Sequence, residues 1–143
     1  MGKVDDVAAA IIGKTGPLDT WRLQKLVYYS QAWHLVWDGV ALFPDRIEAW
    51  ANGPVVPALY RQHRGQFTIH SWASGDAASL SKSERETIKA VLKFYGDKPG
   101  HWLSELTHRE RPWREARKGL APGERGDREI TKESMAEYYG SLL

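Results

Sequence analysis

His101 and His108 stand seven residues apart, about two helical turns, so two imidazoles can share one face of a helix. Metal pairs on a single helix more often use positions i and i+4, as in an HExxH pattern. His34 falls in an apolar stretch, and His63 and His70 flank a β-like segment. Histidines scattered in this way read as polar edges or buried hydrogen-bonded groups, and no metal ligand is assigned. Asp38, Asp45 and Glu48 fall close together and could converge for acid–base work. Their local settings give a simpler reading. Asp38 precedes a helix-ending glycine, and Asp45 follows Pro44 in a turn. Glu48 differs: it sits between Ile47 and Ala49, where it would accept hydrogen bonds from backbone or an arginine and hold a corner.

Gly13, Lys14 and Thr15 have the ending of a phosphate-binding loop. That pattern needs a glycine where Ala8 stands and a helix starting at once, whereas Gly16 and Pro17 follow here. A helix end explains them, and no cofactor is expected. Residues 109 to 118, RERPWREARK, place five basic and two acidic groups around Trp113. Basic groups around an aromatic ring can hold single-stranded nucleic acid through phosphate contacts and stacking. The simpler reading is a solvated helix face with Trp113 turned inward.

The elements that position these residues follow from composition and pattern. A chain of 143 residues suits one domain and buries roughly 70% of its unfolded surface, enough for a core without staples. Lys and Arg total 20 and Asp and Glu 18, and a net charge of +2 is too small to name a nucleic-acid partner. With no cysteine, disulfides and thiolate metal sites are excluded. No apolar run is long enough for a signal peptide or a membrane span, so a cytoplasmic protein is expected. Seven tryptophans imply a Trp-rich core or an aromatic binding face.

Val4, Val7, Ala8 and Ile11 keep helical spacing, and Gly13, Gly16 and Pro17 stop that helix. Asp19 or Thr20 caps a longer helix ending at Gly39. Leu23, Leu26, Val27, Trp33 and Trp37 form its stripe, and Tyr28, Tyr29, Leu35 and Val36 spread apolar surface to other faces. Such a helix belongs at the centre of a domain, and Trp21, Trp33 and Trp37 are expected mostly in the core. Trp50, Trp72, Trp102 and Trp113 sit at element ends, where an exposed ring would anchor an interface. RIEAW and FTIHSW read as partner strands of a ribbon. Ser81 with Glu84, or Ser83 with Glu86, makes a capping box for a helix carrying Ile88, Val91, Leu92 and Tyr95, closed by Gly96. Pro99 and Pro112 open short helices, and residues 119–130 are expected to be a mobile loop. Thr131 caps a last helix with Met135, Tyr138, Tyr139 and Leu142 on one face.

Residues 48–64, EAWANGPVVPALYRQHR, form the least ordinary stretch. Pro54 and Pro57 push Gly53 and Val56 out of the α region, and Pro57 suits a first helical position. The segment reads as a preset corner between a strand and a helix, with Gly53 supplying a backbone geometry that a Cβ would hinder.

This corner carries a resemblance. Leu23, Lys25, Leu26 and Tyr28, followed by Glu48, Ala49, Trp50, Gly53, Pro54, Val55, Pro57 and Tyr60, resemble the signature of the Panacea domain. That domain defines the SocA-like antitoxin family, whose members include phage-associated proteins of the GepA type. Thr107, His108, Pro112 and Trp113 resemble the family's later block, and the likeness covers about residues 18 to 118. The resemblance implies a bacterial or prophage antitoxin that neutralises a toxin encoded alongside it, mostly by binding. In the SocA branch it implies a proteolytic adaptor delivering the toxin to the ClpXP protease. It implies no catalytic residue.

The combined expectation is one Panacea domain over residues 1–143, mainly α, compact around a central apolar helix, with one short two-stranded β ribbon. Its function is that of an antitoxin and not an enzyme, its partner the cognate toxin, with no membrane partner. Trp50, Tyr60, Arg61, Arg64 and Trp113 are the candidate toxin-binding residues. Leu23, Lys25, Leu26, Tyr28, Glu48, Gly53, Pro54 and Pro57 form the structural motif. The alternatives are the ClpXP adaptor, a nucleic-acid-binding regulator using residues 109–118, and a small hydrolase using Asp45, Glu48 and a histidine.

Overall fold

Helix α2, Thr20–Trp37, is buried along most of its length: Leu23, Leu26, Val27, Tyr29 and Ala32 are fully enclosed. The computed structural model describes residues 3–143, so the first two residues of the expected domain lie outside the described ones. Asp19 starts α2 as an N-cap, its carboxylate accepting the Arg22 N–H at 3.1 Å. Around α2 pack α1 (Lys3–Thr15), α4 (Lys82–Tyr95), α5 (Gly100–Arg109) and α7 (Lys132–Gly140). Its greasy surface is thus covered from several sides, as the sequence pattern requires. Two short helices complete the helical set, α3 (Pro57–His63) and α6 (Arg111–Ala116), each with a proline in its first turn. For α4 the capping box is Ser81 with Glu84: the Glu84 N–H donates to Ser81 Oγ and the Ser81 N–H to Glu84 Oε1.

The strands differ from the single ribbon expected. β1 (Leu18–Asp19) pairs antiparallel with β4 (Thr68–Ile69), Leu18 opposite Ile69. A second sheet has the order β3-β2-β5, with β2 Ile47–Trp50, β3 Gly53–Val55 and β5 Glu129–Ile130. RIEAW therefore pairs with its immediate neighbour, Trp50 opposite Gly53, and with the start of the final helical segment, Ile47 opposite Ile130. FTIHSW goes elsewhere, to the entry of α2. Pro54 lacks an N–H and is accommodated because β3 is an edge strand. In β2, Ile47 and Ala49 point into the core, while Glu48 and Trp50 alternate outward.

Two buried glutamines on α2 pin the chain on either side of the sheet. Gln24 Oε1 accepts the Val56 N–H at 2.8 Å, and Gln24 Nε2 donates to the Val56 carbonyl at 3.3 Å. The same nitrogen contacts His63 Nε2 at 2.9 Å; an amide nitrogen only donates, so that imidazole nitrogen accepts. Burial lowers the His63 pKa, in keeping with a neutral ring there. Two turns further on, Gln31 Oε1 accepts from the Leu42 N–H at 2.7 Å, and its Nε2 donates to the Phe43 carbonyl at 2.8 Å. Each amide satisfies buried backbone groups that no sheet ladder reaches.

The tryptophans divide differently from expectation. Trp21 and Trp37 are 44% and 46% exposed, Trp33 is half-buried, and Trp72 is buried, its indole N–H donating to Asp5 Oδ1 at 2.9 Å. Helical spacing aligned Trp21 and Trp37 with core residues, but both lie at the ends of α2, where the surrounding helices no longer cover them.

Gln24→Leu tests the clamp. It strands the Val56 N–H in the interior, while the Val56 carbonyl keeps the Leu59 and Tyr60 N–H groups at 3.0 and 3.1 Å, and unfolding in urea should show a loss of about 1–3 kcal/mol. A variant as stable as the parent would mean that the corner is held otherwise.

Candidate functional site

The corner is assembled from four directions. Val56, held by Gln24, sets where α3 begins; the Ala51–Asn52 turn joins β2 to β3. Gly53 adopts φ +134°, a conformation that L side chains rarely take, and a Cβ there would lie 3.2 Å from Lys25 Cε and 3.6 Å from Thr107 Oγ1. Backbone at this point thus runs directly over the Lys25 side chain, which only glycine permits.

Aromatic and basic side chains brace the turn from outside. Trp50 meets Tyr60 edge-on, ring centroids 4.8 Å apart. The Trp50 indole donates to Glu48 Oε1 at 2.9 Å, and Arg46 pairs with Glu48 Oε2 at 3.1 Å. Glu48 is therefore held by an arginine, as expected from sequence, and by an indole that was not foreseen. From α6, Trp113 donates its indole proton to the Trp50 carbonyl at 2.9 Å and stacks on His108 at 4.0 Å. Arg117 is buried; it donates to the Ala49 carbonyl at 3.0 Å and to the Glu124 carbonyl at 2.5 Å. It thereby ties residues 119–128, which form no regular element, to the sheet. The end of the segment expected to be a loop, Glu129–Ile130, is strand β5.

Of the candidate binding residues, Arg61 and Arg64 are exposed, and Trp50, Tyr60 and Trp113 are half-buried. Trp50 and Tyr60 touch each other, and Trp50 and Trp113 are joined by a hydrogen bond. Trp50 also lines an open depression of about 610 Å³ with Trp21, Asn52, Arg125 and Asp127. Trp21, exposed on α2, was not singled out as a binding residue; its signal in the sequence was its place at the very start of the helix, before the core stripe begins.

Lys25 is the polar residue at the heart of the corner. It is 2% exposed, and among the described residues no acceptor is hydrogen-bonded to its ammonium. Its nearest compensation is the Trp21 ring, 5.5 Å from Nζ to the centroid. Burial lowers its pKa to about 8, partly offset by Asp19. His108 Nε2, nearby, is the one side-chain nitrogen or oxygen among the described residues that is buried without a partner. Burial lowers the His108 pKa, against the Asn52 carbonyl, and the Lys25 and Arg117 charges lower it further.

The carboxylates do not assemble an acid–base site. Glu48 is occupied by Trp50 and Arg46, Asp38 lies 3.8 Å from His34 Nε2, and His63 is engaged by Gln24. Among the described residues no three histidine or carboxylate side chains gather as metal ligands would. His101 is exposed while His108 is stacked on Trp113, so the pair does not act together.

The arrangement defines a helical protein displaying ring faces, a positive-φ glycine at the head of β3 and an enclosed lysine at one corner. The family model described as antitoxin SocA-like, Panacea domain, matches residues 23–114, and the chain belongs to that family. The match begins at Leu23 and ends just past Trp113, so it spans the α2 stripe, the Gly53 corner and the Trp113 brace. No curated protein and no solved structure matches the chain. No described helix is long and apolar enough to cross a membrane.

Two outcomes follow from the corner. Gly53→Val should cost about 1–3 kcal/mol from backbone strain alone, with displacement of Lys25 in addition, seen as a lowered melting temperature. The second concerns pH. Unfolded, the Lys25 amine holds its proton to its ordinary value of 10.5; folded, only to about 8. The unfolded chain binds more protons across that window, so stability should rise as pH climbs from 8 toward 10, by up to about 3 kcal/mol. Burial raises Tyr29 and Tyr139 well above their usual pKa of 10, and Tyr95 to about 12. Stability should fall again above pH 10, as unfolded tyrosines ionise first. Lys25→Met should flatten the rising limb, as measured by denaturant unfolding across pH.

Proposed function

We propose that this antitoxin neutralises its cognate toxin by direct, non-enzymatic binding, with the Gly53 corner as the contact surface. The observation that carries this reading is Lys25. Its side chain is enclosed, and its ammonium has no protein acceptor among the described residues. The partial desolvation that lowers its pKa to about 8 destabilises the charged folded form, a cost that an acceptor on a partner would offset. On this reading a carboxylate or backbone carbonyl of the toxin reaches Lys25 beside Trp21, while Trp50 and Tyr60 supply ring contact and Arg61 and Arg64 a basic rim. Fixed backbone at Gly53, Pro54 and Pro57 keeps the ordering entropy of binding low. Trp113 serves mainly as a brace, because its indole proton is committed to the Trp50 carbonyl.

The nucleic-acid reading loses support from the same geometry. Arg117 is buried in the fold, and Arg111 pairs with Glu115 at 3.0 Å, which leaves Arg109, Arg114 and Lys118 as a sparse exposed set. The hydrolase reading loses support from the commitment of Glu48 and His63 to structural bonds.

The test uses the toxin encoded beside this chain, titrated against purified variants. Lys25→Met should melt higher than the parent at pH 7 yet bind the toxin at least about tenfold more weakly, a loss in the range of a charge-assisted bond. Arg61→Glu should weaken binding with melting unchanged. Wild-type affinity in both variants would overturn the corner as the contact surface. Neutralisation that persists in cells lacking ClpXP supports blocking; neutralisation that vanishes there assigns the adaptor mode instead.

A further inference from the structure

A second surface, not part of the Gly53 corner, has its own chemistry. Between α4, α5 and the C-terminal half of α2 runs an open groove of about 620 Å³, walled by Trp33, Trp37, Phe94, Tyr95 and Trp102. Phe94 is 61% exposed and Trp37 46%, so the walls are open rings and not a closed core. Trp33 stacks on Trp37 at 5.3 Å, and its indole donates to Tyr95 Oη at 3.0 Å, which fixes the wall. Behind it, Tyr29 stacks on Tyr95 at 4.1 Å.

One lining residue does not suit an apolar groove. Glu110 is 6% exposed, yet it lines this surface. Its Oε1 accepts the hydroxyl protons of Tyr29 and Tyr139, each at 2.7 Å. Among the described residues no donor is bonded to Oε2. Burial raises the Glu110 pKa, and the hydroxyl bonds from Tyr29 and Tyr139 and the Arg109 charge pull against it. Two tyrosines fix one oxygen and leave the other turned to an aromatic-walled cleft.

Ring faces and a carboxylate attract the same kind of ligand. The negative face of an indole or phenol favours a cation, and a desolvated carboxylate favours one that donates hydrogen bonds. One ring here already receives a cation: Lys98 lies 5.2 Å over Trp102. Exposed apolar area beside the carboxylate requires that the cation arrive attached to apolar neighbours. We propose that this groove binds an arginine or lysine side chain presented by an apolar segment of a protein partner, with Glu110 Oε2 as acceptor. The guanidinium or ammonium lies against Trp33 and Trp37, and the flanking apolar side chains cover Phe94.

The test needs no toxin. Two capped pentapeptides, Leu-Leu-Arg-Leu-Leu and the same sequence with neutral citrulline for arginine, are titrated into the full chain. Binding is followed by the indole N–H signals in NMR. The arginine peptide should shift the signals of Trp33, Trp37 and Trp102 and bind about tenfold more tightly than the citrulline peptide. Glu110→Gln still accepts the tyrosine protons, so it should keep its melting temperature and lose the preference for arginine. Trp37→Ala, at an exposed position, should weaken the arginine peptide more than the citrulline one even if Glu110→Gln does not fold. Equal binding of the two peptides would overturn the proposal, leaving an apolar groove only. So would absence of indole shifts, or an unchanged arginine preference in folded Glu110→Gln. Methylguanidinium binding as tightly as the arginine peptide would assign the groove to small cations and overturn it as a protein-docking site.

Discussion

The amide of Gln24 is the contact on which the corner depends. Val56 lies between two turns of chain that the prolines have already bent, and its backbone groups face the interior. The carbonyl accepts the Leu59 and Tyr60 N–H groups at the start of α3, but no strand is available to pair the N–H, because β3 ends at Val55. A primary amide presents one acceptor and two donors, the complement of a peptide group with a donor to spare. Gln24 spends that second donor on His63, so a single side chain fixes both the start and the end of α3. Everything outside the corner inherits this placement: the Trp50–Tyr60 contact needs α3 at this angle to β2.

Gln31 repeats the device two turns along α2 for the segment at Leu42 and Phe43. The central helix thus works as a spine in two senses. Its apolar residues hold the surrounding helices by burial, and its glutamines hold irregular chain by hydrogen bonds. Irregular segments carry unpaired backbone groups and are normally forced to the surface. The two amides allow them to be buried instead, which is how a chain of modest length encloses Val56, Leu42 and Phe43.

Much of this was legible in the sequence where the cause is local. Asp19, the Ser81–Glu84 box, Pro57 and Thr131 mark helix starts because a cap or a ring acts within one turn. Gly53 was legible as a special backbone position for the same reason. Strand pairing was not, since FTIHSW and RIEAW have similar patterns and their partners are chosen by the path of the whole chain. Nor was the exposure of Trp21 and Trp37, because periodicity gives a face but not where the covering helices stop. The glutamines left a signal that went unread: two long polar side chains seven apart in a helix greasy on nearly every side. At the site, the aromatic contact of Trp50 with Tyr60 was foreshadowed by their framing of the corner, whereas Lys25 was visible only as part of a motif. Burial of an ammonium beneath a glycine turn is a tertiary fact.

Lys25 stands out against the other polar residues of its own helix. Gln24, Gln31, Ser30, His34, Tyr28 and Tyr29 are all buried, and each makes a hydrogen bond, Ser30 to the Leu26 carbonyl and His34 to Thr87. The fold is evidently able to satisfy polar groups in this helix, including hydroxyls, amides and an imidazole. Methionine in place of Lys25 would fill similar volume without a charge to desolvate. A structural role alone therefore favours the apolar side chain, and the stem of lysine offers Gly53 nothing that methionine would not. What the ammonium adds is a donor that remains free in the isolated protein, beside an exposed tryptophan. That addition weakens the folded state, and on the function proposed above the cost is offset only when a partner's acceptor reaches it.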